Sequence, residues 1–261
     1  MTKVRISALV LAKNEEDQID EALSQLKFAD EIIVLDQDSQ DTTRQIAQKY
    51  TKNLLTTKNE DFGKNRNLLA QEAKGDWLLY VDADERLSSQ NIEEIKKVIK
   101  SPANQAYYFP RQNYILGQFQ KHGGWWPDYV PRLLKKSDFL SWSGQVHESP
   151  EIRGTFGYLK NPIIHKTARS VKSMLEKSAK WAQVEAQLYY KSTNPKVTPV
   201  RVIKFSLSEF IKRYFIKLGF LDGKIGLISA LYQALHNAMI LTYLWELQNE
   251  SEKKFKRLEN A

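Results

Sequence analysis

Five consecutive apolar residues, Trp77 to Val81, run directly into Asp82-Ala83-Asp84-Glu85. A run of that length and composition is a buried strand. Ending it in Asp82 and Asp84 delivers two negative charges to one edge of a sheet. Carboxylates grouped there are costly unless a cation or a hydrogen-bonding ligand neutralises them. The plain alternative is a solvated turn whose acids cap the next helix, and the flanking sequence has to decide between the two.

That flanking sequence alternates regularly. Val4 to Leu11 has strand composition, and Asn14-Glu15-Glu16-Asp17 follows as a cap-like Asn with acids suited to a first helical turn. Ile19, Ala22, Leu23 and Leu26 then recur at helical spacing. Glu31 to Leu35 is a second strand ending at Asp36, and Ser39-Gln40-Asp41 can cap a helix carrying Ile46, Ala47 and Tyr50. Leu54-Leu55 is a brief third strand, Asn65 to Lys74 a helix closed by Gly75, and Trp77 to Val81 the fourth strand. Ser88 or Ser89 caps a further helix with Ile92, Ile95, Val98 and Ile99 on one face. The pattern predicts an α/β fold, a mainly parallel sheet flanked by helices. Ligands of such sheets bind beyond the carboxyl ends of the strands. Those ends carry Ala12-Lys13-Asn14-Glu15, Asp36-Gln37-Asp38 and Asp82-Ala83-Asp84, so polar and acidic groups converge on one edge.

The remainder of the chain has a different texture. Residues 103–195 are rich in Tyr, Phe and Trp, with short alternating pieces that suggest an antiparallel extension, followed by a helix over Val171 to Tyr190. Asn194 to Pro199 reads as a linker. The division expected is therefore 1–195, in two parts 1–102 and 103–195, followed by a helical extension 196–261. The extension carries 11 Lys/Arg against 6 Asp/Glu, whereas residues 1–195 carry 28 against 25. A basic excess at one end points to an anionic surface. Its apolar stripe (Phe205, Phe210, Ile211, Tyr214, Phe215, Leu218) and the uncharged run Ile225 to Trp245 suit an amphipathic helix on a membrane surface, with packing on the main domain, a second subunit or a true span as the alternatives. Without cysteine there is no disulfide and no thiolate metal site, which permits an intracellular location. The apolar centre Ile6 to Ala12 is too short for a signal peptide and fits a first strand.

No G-x-G-x-x-G follows the first strand and no G-x-x-x-x-G-K-[ST] occurs anywhere, which argues against dinucleotide and P-loop chemistry. A nucleotide diphosphate bound without a glycine cradle needs another counter-charge. Carboxylates holding Mg2+ or Mn2+ supply one.

Taken together, Leu9-Val10-Leu11-Ala12-Lys13-Asn14-Glu15-Glu16, Val34-Leu35-Asp36-Gln37-Asp38-Ser39, Gly63-Lys64-Asn65-Arg66-Asn67 and Asp76 to Glu85 resemble family 2 glycosyltransferases in order and spacing. Trp126-Pro127-Asp128, Arg132-Leu133, Gly144-Gln145-Val146-His147-Glu148 and His165 are similar to the bacterial subgroup that includes lipopolysaccharide-core β-1,4-glucosyltransferases. The resemblance implies a GT-A fold, a UDP-sugar donor, a divalent metal and inversion at the anomeric carbon, with 1–102 as the nucleotide-sugar-binding half and 103–195 as the acceptor half. It implies donor contacts at Ala12, Asn14, Glu15, Asp36, Lys64, Arg66, Asp82 and Ala83, with Asp36 on the uracil or ribose. Asp84 and His165 are implied as metal ligands; a strand-end histidine is otherwise structural. Glu148 is the expected base, with Asp128 as its rival, and Trp125 and Trp126 are expected to stack on sugar faces unless one of them is core. Glu85 is expected to neighbour the following helix. The activity implied is transfer of a hexose, glucose, to a surface glycan or lipid-linked acceptor such as lipopolysaccharide core, at the cytoplasmic face of the membrane.

Two other readings differ at specific points. A nucleotidyltransferase shares the sheet but expects a glycine- and arginine-rich loop after strand one, which Lys13 to Asp17 lacks. A non-catalytic module using its basic end on an anionic surface remains physically open. Nucleic acid is not the expected partner, because the basic end is apolar-striped instead of aromatic-and-basic interleaved.

Overall fold

The computed structural model describes residues 4–144 and 148–259, with residues 251–259 described by backbone alone. The chain forms two compact units: Met1–Gln112 with Pro127–Lys166, and Asn113–Trp126 with Thr167–Ala261. In chain order the first elements are β1 (Ile6–Ala12), α1 (Ile19–Ser24), β2 (Glu31–Asp36), α2 (Thr43–Ala47), β3 (Asn53–Thr56), α3 (Phe62–Glu72), β4 (Trp77–Asp82), β5 (Glu85–Arg86) and α4 (Ser89–Lys100). There follow β6 (Ala106–Ile115), β7 (Gln118–Phe119), β8 (Asp128–Lys135), β9 (Phe139–Ser143), β10 (Ser149–Ile152), β11 (Phe156–Tyr158), β12 (Ile163–Ala168), α5 (Val171–Lys191), α6 (Pro199–Ile211) and α7 (Gly223–Glu259).

The sheet runs β3-β2-β1-β4-β8-β6-β12-β5, with β7 and β11 paired to β6; β9 and β10 form a separate hairpin. β1, β2, β3 and β4 are mutually parallel, and β8 adds antiparallel to β4. The chain steps from β1 outward through β2 to β3, then returns to lay β4 on the other side of β1. That reversal is where a crevice opens at the carboxyl edge. Register aligns the ends: Ala12 lies opposite Asp36 and Leu11 opposite Asp82.

Side chains alternate across the sheet. Ala8, Val10, Leu79 and Val81 face one core, which α1 covers with Ile19 and Leu23 and α4 with Ile95 and Ile99. Leu9, Leu11, Leu78 and Tyr80 face the other, covered by Leu69 and Ala70 of α3 and by Trp142 of β9. Ser88 caps α4 through a reciprocal box with Asn91. Helix α3 begins three residues before the sequence pattern suggests, because Asp61 caps it by accepting from the Lys64 N–H. Helix α2 stops at Ala47, short of Tyr50, whose N–H turns back to the Ala47 carbonyl.

The boundary expected at residue 195 falls inside the second unit. Ala182 and Ala186 of α5 are buried against Ile240, Leu241 and Leu244 of α7, so α5 belongs with the C-terminal helices. Apolar spacing marks α5 as amphipathic but does not say which element it covers.

Gly75 turns the chain into β4, and its N–H donates to Ser7 Oγ at 2.7 Å. A Cβ there would meet Ser7 N and Oγ at 2.6 Å each, on a strand that has neighbours on both sides. Gly75→Ala is expected to destabilise the protein by about 1–3 kcal/mol through overpacking, read as a lowered urea midpoint at unchanged slope.

Candidate functional site

The turns after β1 and β2 are sewn together. Asn14 adopts φ 54° and Asp38 φ 59°, left-handed values that Asn and Asp tolerate. The Asn14 N–H donates to Ser39 Oγ at 2.9 Å, and Asn14 Oδ1 accepts from the Gln40 N–H at 2.9 Å. One residue on, the Glu15 N–H donates to Thr43 Oγ1 at 2.8 Å. Asp36 is fully buried beneath this turn. Its Oδ2 accepts from Arg44 Nη2 at 2.7 Å and from the Ser39 N–H at 3.2 Å. Its Oδ1 is buried with no hydrogen-bond partner among the described residues, the kind of acceptor that a ligand N–H or hydroxyl satisfies.

At the end of β4 the carboxylates are met by arginines. Asp82 Oδ1 accepts from Arg66 Nη2 at 3.0 Å, and Arg132 Nη2 donates to Asp82 Oδ2. Arg66 Nε also donates to Glu148 Oε1 at 3.2 Å. The Arg66 guanidinium lies 5.0 Å from the Trp142 ring and 5.6 Å from Tyr80, whose hydroxyl donates to the Arg66 carbonyl. Arg132 gives Nε and Nη2 to the two oxygens of Glu85, at 3.0 and 2.7 Å. Arg111 Nη1 reaches Glu85 at 3.5 Å, while its Nε and Nη2 hold Asp128 Oδ2 at 2.8 and 2.7 Å. Acids and arginines thus alternate from Glu148 through Arg66, Asp82, Arg132, Glu85 and Arg111 to Asp128.

Burial pushes the Asp82 carboxyl up, but the Arg132 and Arg66 charges outweigh it and hold the group below the usual carboxylate range. Burial lowers the Arg132 pKa, and Asp82 and Glu85 reverse that, leaving it above its ordinary value. Glu85 is not the helix-side acid expected from its position. It lies on β5, fully buried, and holds two arginines.

Asp84, half-buried, follows the tight turn after Asp82. Its Oδ2 lies 3.2 Å from His165 Nε2, brought there by β12, on which His165 pairs with Glu85. Among the described residues no three His, Cys, Asp or Glu side chains are grouped as a complete metal cage. One carboxylate and one imidazole at this separation do fit a divalent cation that takes its other oxygens from a bound diphosphate and water.

Other expected donor residues are placed differently. Ala12 and Ala83 lie in the core, with their carbonyls taken by the Gln37 N–H and by Arg86 Nη1, so their side chains do not line the edge. The Lys64 side chain is 73% exposed and lies 3.7 Å from Asp61. Trp125 and Trp126 belong to the second unit. Trp125 packs with Ile115, Ala168 and Met174 under Arg213, whose guanidinium is 5.4 Å from its ring, and Trp126 meets Phe119 edge-on. Gln145, Val146 and His147 lie outside the described residues.

Sequence reasoning missed the structural use of Arg132, Arg111 and Glu85. The available signal was Arg132 itself, a charge inside the apolar run Val130 to Leu134, which demands a buried partner.

A sheet of this order with its carboxylates on the carboxyl edge is the GT-A arrangement of nucleotide-sugar transferases. The family model for glycosyl transferase family 2 matches residues 7–160, more than half of the chain, and the protein belongs to that family of glycosyltransferases. It is 25% identical to an uncharacterized glycosyltransferase of Rickettsia conorii over 95% of this chain and 92% of that protein. It is 31% identical to the poly(ribitol-phosphate) beta-N-acetylglucosaminyltransferase TarS of Staphylococcus aureus, over 35% of this chain and 18% of TarS. The crystal structure of TarS residues 1–349 with UDP-GlcNAc is similar with a TM-score of 0.45 and 15% identity, covering 96% of this chain and 92% of that one.

Two stability outcomes follow from the ion-pair chain. Glu85→Ala leaves the buried Arg132 with Asp82 alone and is expected to cost about 3 kcal/mol, with Glu85→Gln losing less, both measured by denaturant titration. Because the native Asp82 pKa is depressed, its contribution to stability is present above the unfolded value near ~3.9 and disappears as pH falls through the native value. Unfolding free energy measured from pH 6 downward should therefore drop less steeply in Asp82→Asn than in the parent.

Proposed function

We propose that this glycosyltransferase transfers a hexose, glucose, from a UDP-sugar with inversion, using a divalent cation. The proposed acceptor is a cell-surface glycan or lipid-linked saccharide such as lipopolysaccharide core, met at the cytoplasmic face of the membrane. The observation that most supports metal-dependent transfer is the Asp84–His165 pair beside Asp82, on the same edge as the unsatisfied Oδ1 of Asp36. Glucose and a core acceptor are supported by the motif resemblance at Trp126-Pro127-Asp128, Arg132 and Glu148. UDP-GlcNAc is the competing donor to test, given the match to TarS.

In this reading Asp36 accepts a hydrogen bond from the uracil or ribose, and the joined turns at Asn14 and Ser39 keep that part of the cleft fixed. Arg66 and Arg132 hold Asp82 ionised and immobile at the strand end. Arg66 also aims Glu148. The acceptor hydroxyl attacks the anomeric carbon from the face opposite the diphosphate. A new C–O bond forms as the sugar–phosphate bond breaks, the hydroxyl proton passes to Glu148, and UDP leaves with the electron pair. A divalent cation held by Asp84 and His165 supplies, when bound, positive charge against the negative charge growing on the leaving diphosphate.

Incubation with a panel of nucleotide-sugars and Mg2+ or Mn2+ should give metal-dependent release of UDP, with UDP-glucose the best substrate. Asp84→Ala and His165→Ala should both weaken the metal response, and full turnover of Asp84→Ala in chelator would dismiss the site. Glu148→Gln should lower kcat by about 10²–10⁴-fold while UDP-sugar still raises the melting temperature. A Glu148→Gln enzyme of parental turnover would transfer the base role to Asp128.

A further inference from the structure

In the second unit, helix α6 and the segment after it carry an outward apolar stripe that the fold leaves uncovered. Val200, Ile203, Leu207, Ile211, Phe215 and Leu218 recur at intervals of three or four residues and are all exposed, Val200 by 73% and Ile203 by 66%. The opposite side of α6 is the one that packs, with Val202 against the α5–α7 core. The burial pattern therefore separates a packed side from an open side, and the open side is the more apolar. The turn joining α6 to α7 continues it with Ile216, Phe220 and Leu221, Ile216 being 72% exposed. Leu227, Leu231, Leu235 and Trp245 extend it along α7. Beside Trp245, a hollow of about 230 Å³ opens between the start of α6 and α7, lined by Val197, Pro199, Val202 and Thr242 among others.

Around α6 and its turn the charge is predominantly basic. Residues 196–224 hold seven Lys/Arg and two Asp/Glu. Both acids are engaged within the unit: Glu209 by Arg213 at 2.6 Å and Lys212 at 3.5 Å, and Asp222 by His122 at 2.7 Å. Arg201, Lys204 and Lys212 follow one flank of the stripe, and Lys217 and Lys224 stand at its turn.

We infer that this face is a seat for an anionic lipid bilayer, with α6, the following turn and the exposed side of α7 lying in the plane of the interface. An apolar stripe bordered by basic side chains matches acyl chains beneath a layer of negative headgroups. A second copy of the chain fits poorly, because a twofold contact sets a patch against itself and would oppose two like-charged rims. A crossing helix fits poorly as well. The stretch Gly219–Glu250 is long and apolar enough to cross a membrane by length and composition. However, α7 is packed along α5, where His236 lies 3.2 Å from Ser178 and 3.3 Å from Glu185. Crossing would carry the exposed charges of α5, such as Lys172, Glu176 and Lys180, into hydrocarbon. Seating on a bilayer through this face is independent of which donor and acceptor the enzyme uses.

The test is co-sedimentation of the full chain with vesicles of phosphatidylcholine alone and of phosphatidylcholine mixed with phosphatidylglycerol. Binding is expected to the mixed vesicles, weakened by salt and by about fivefold for each of Lys204→Gln and Lys212→Gln. Ile203→Asp combined with Ile216→Asp should lower binding at least ~tenfold with the melting temperature kept, since neither side chain fills the core. Leu207→Ser serves as the milder variant should the double one fail to fold, and Leu140→Asp, exposed on β9, should bind like the parent. Undiminished binding by the apolar variants overturns the inference. So does a dimer in solution that Ile203→Asp dissociates while vesicles are ignored, which would assign the face to a second copy. Resistance of the membrane-bound protein to alkaline carbonate extraction overturns it in favour of a span.

Discussion

Arg132 sits on β8 among apolar neighbours, and its guanidinium reaches two carboxylates, the fully buried Glu85 and the partly exposed Asp82. Removing an ion from water carries a penalty of several kcal/mol even after relaxation. Glu85, with no exposure at all, has Arg132 on both of its oxygens and Arg111 approaching from the other side. The placement of β8 beside β4 is thus as much an electrostatic requirement as a packing one. With Arg132 absent, the carboxyl edge would hold Asp82, Asp84 and Glu85 within four residues and lose the guanidinium that bridges Asp82 and Glu85.

The alternation of acid and arginine also divides the labour within Asp82-Ala83-Asp84. Asp82 ends a strand in register with Leu11 and is claimed by two arginines, so it is a fixed point of the edge. Ala83 turns into the core, and its carbonyl fixes Arg86. Asp84 lies past that turn beside His165, with its Oδ2 3.2 Å from the imidazole Nε2. The one-residue spacing therefore serves to place two acids in different environments.

The parallel half of the sheet was legible because its signals are local. Apolar runs of strand length, Ser88 as a cap and acids at three strand ends each depend on neighbours a few residues away. The convergence of Asp36, Asp82 and Asp84 followed from the topology those signals imply. Glu85 was misplaced because β5 has two residues, too few for any periodicity, and its pairing with β12 spans some eighty residues of chain. Arg111 and Arg132 look like surface charges until β6 and β8 are known to be adjacent. The division of the chain was misread for a related reason: α5 carries an apolar stripe, and only the packing of Ala182 and Ala186 shows that α7 covers it.

The two ends of the ion-pair chain are the two acids considered for proton transfer, and their holding differs. Asp128 gives a single oxygen to two donors of Arg111 at 2.8 and 2.7 Å, short charge-assisted bonds that fix its position. Glu148 gives one oxygen to Arg66 at 3.2 Å, a longer bond on a longer side chain. Arg66 itself cannot follow a moving partner, since Tyr80, Trp142 and Asp82 hold its guanidinium in place. A base must approach the acceptor hydroxyl as that oxygen advances on the sugar and then carry the proton away. A carboxylate on one longer bond to a fixed arginine meets that requirement more readily than one clamped by two short bonds, which is the reason for proposing Glu148 as the base.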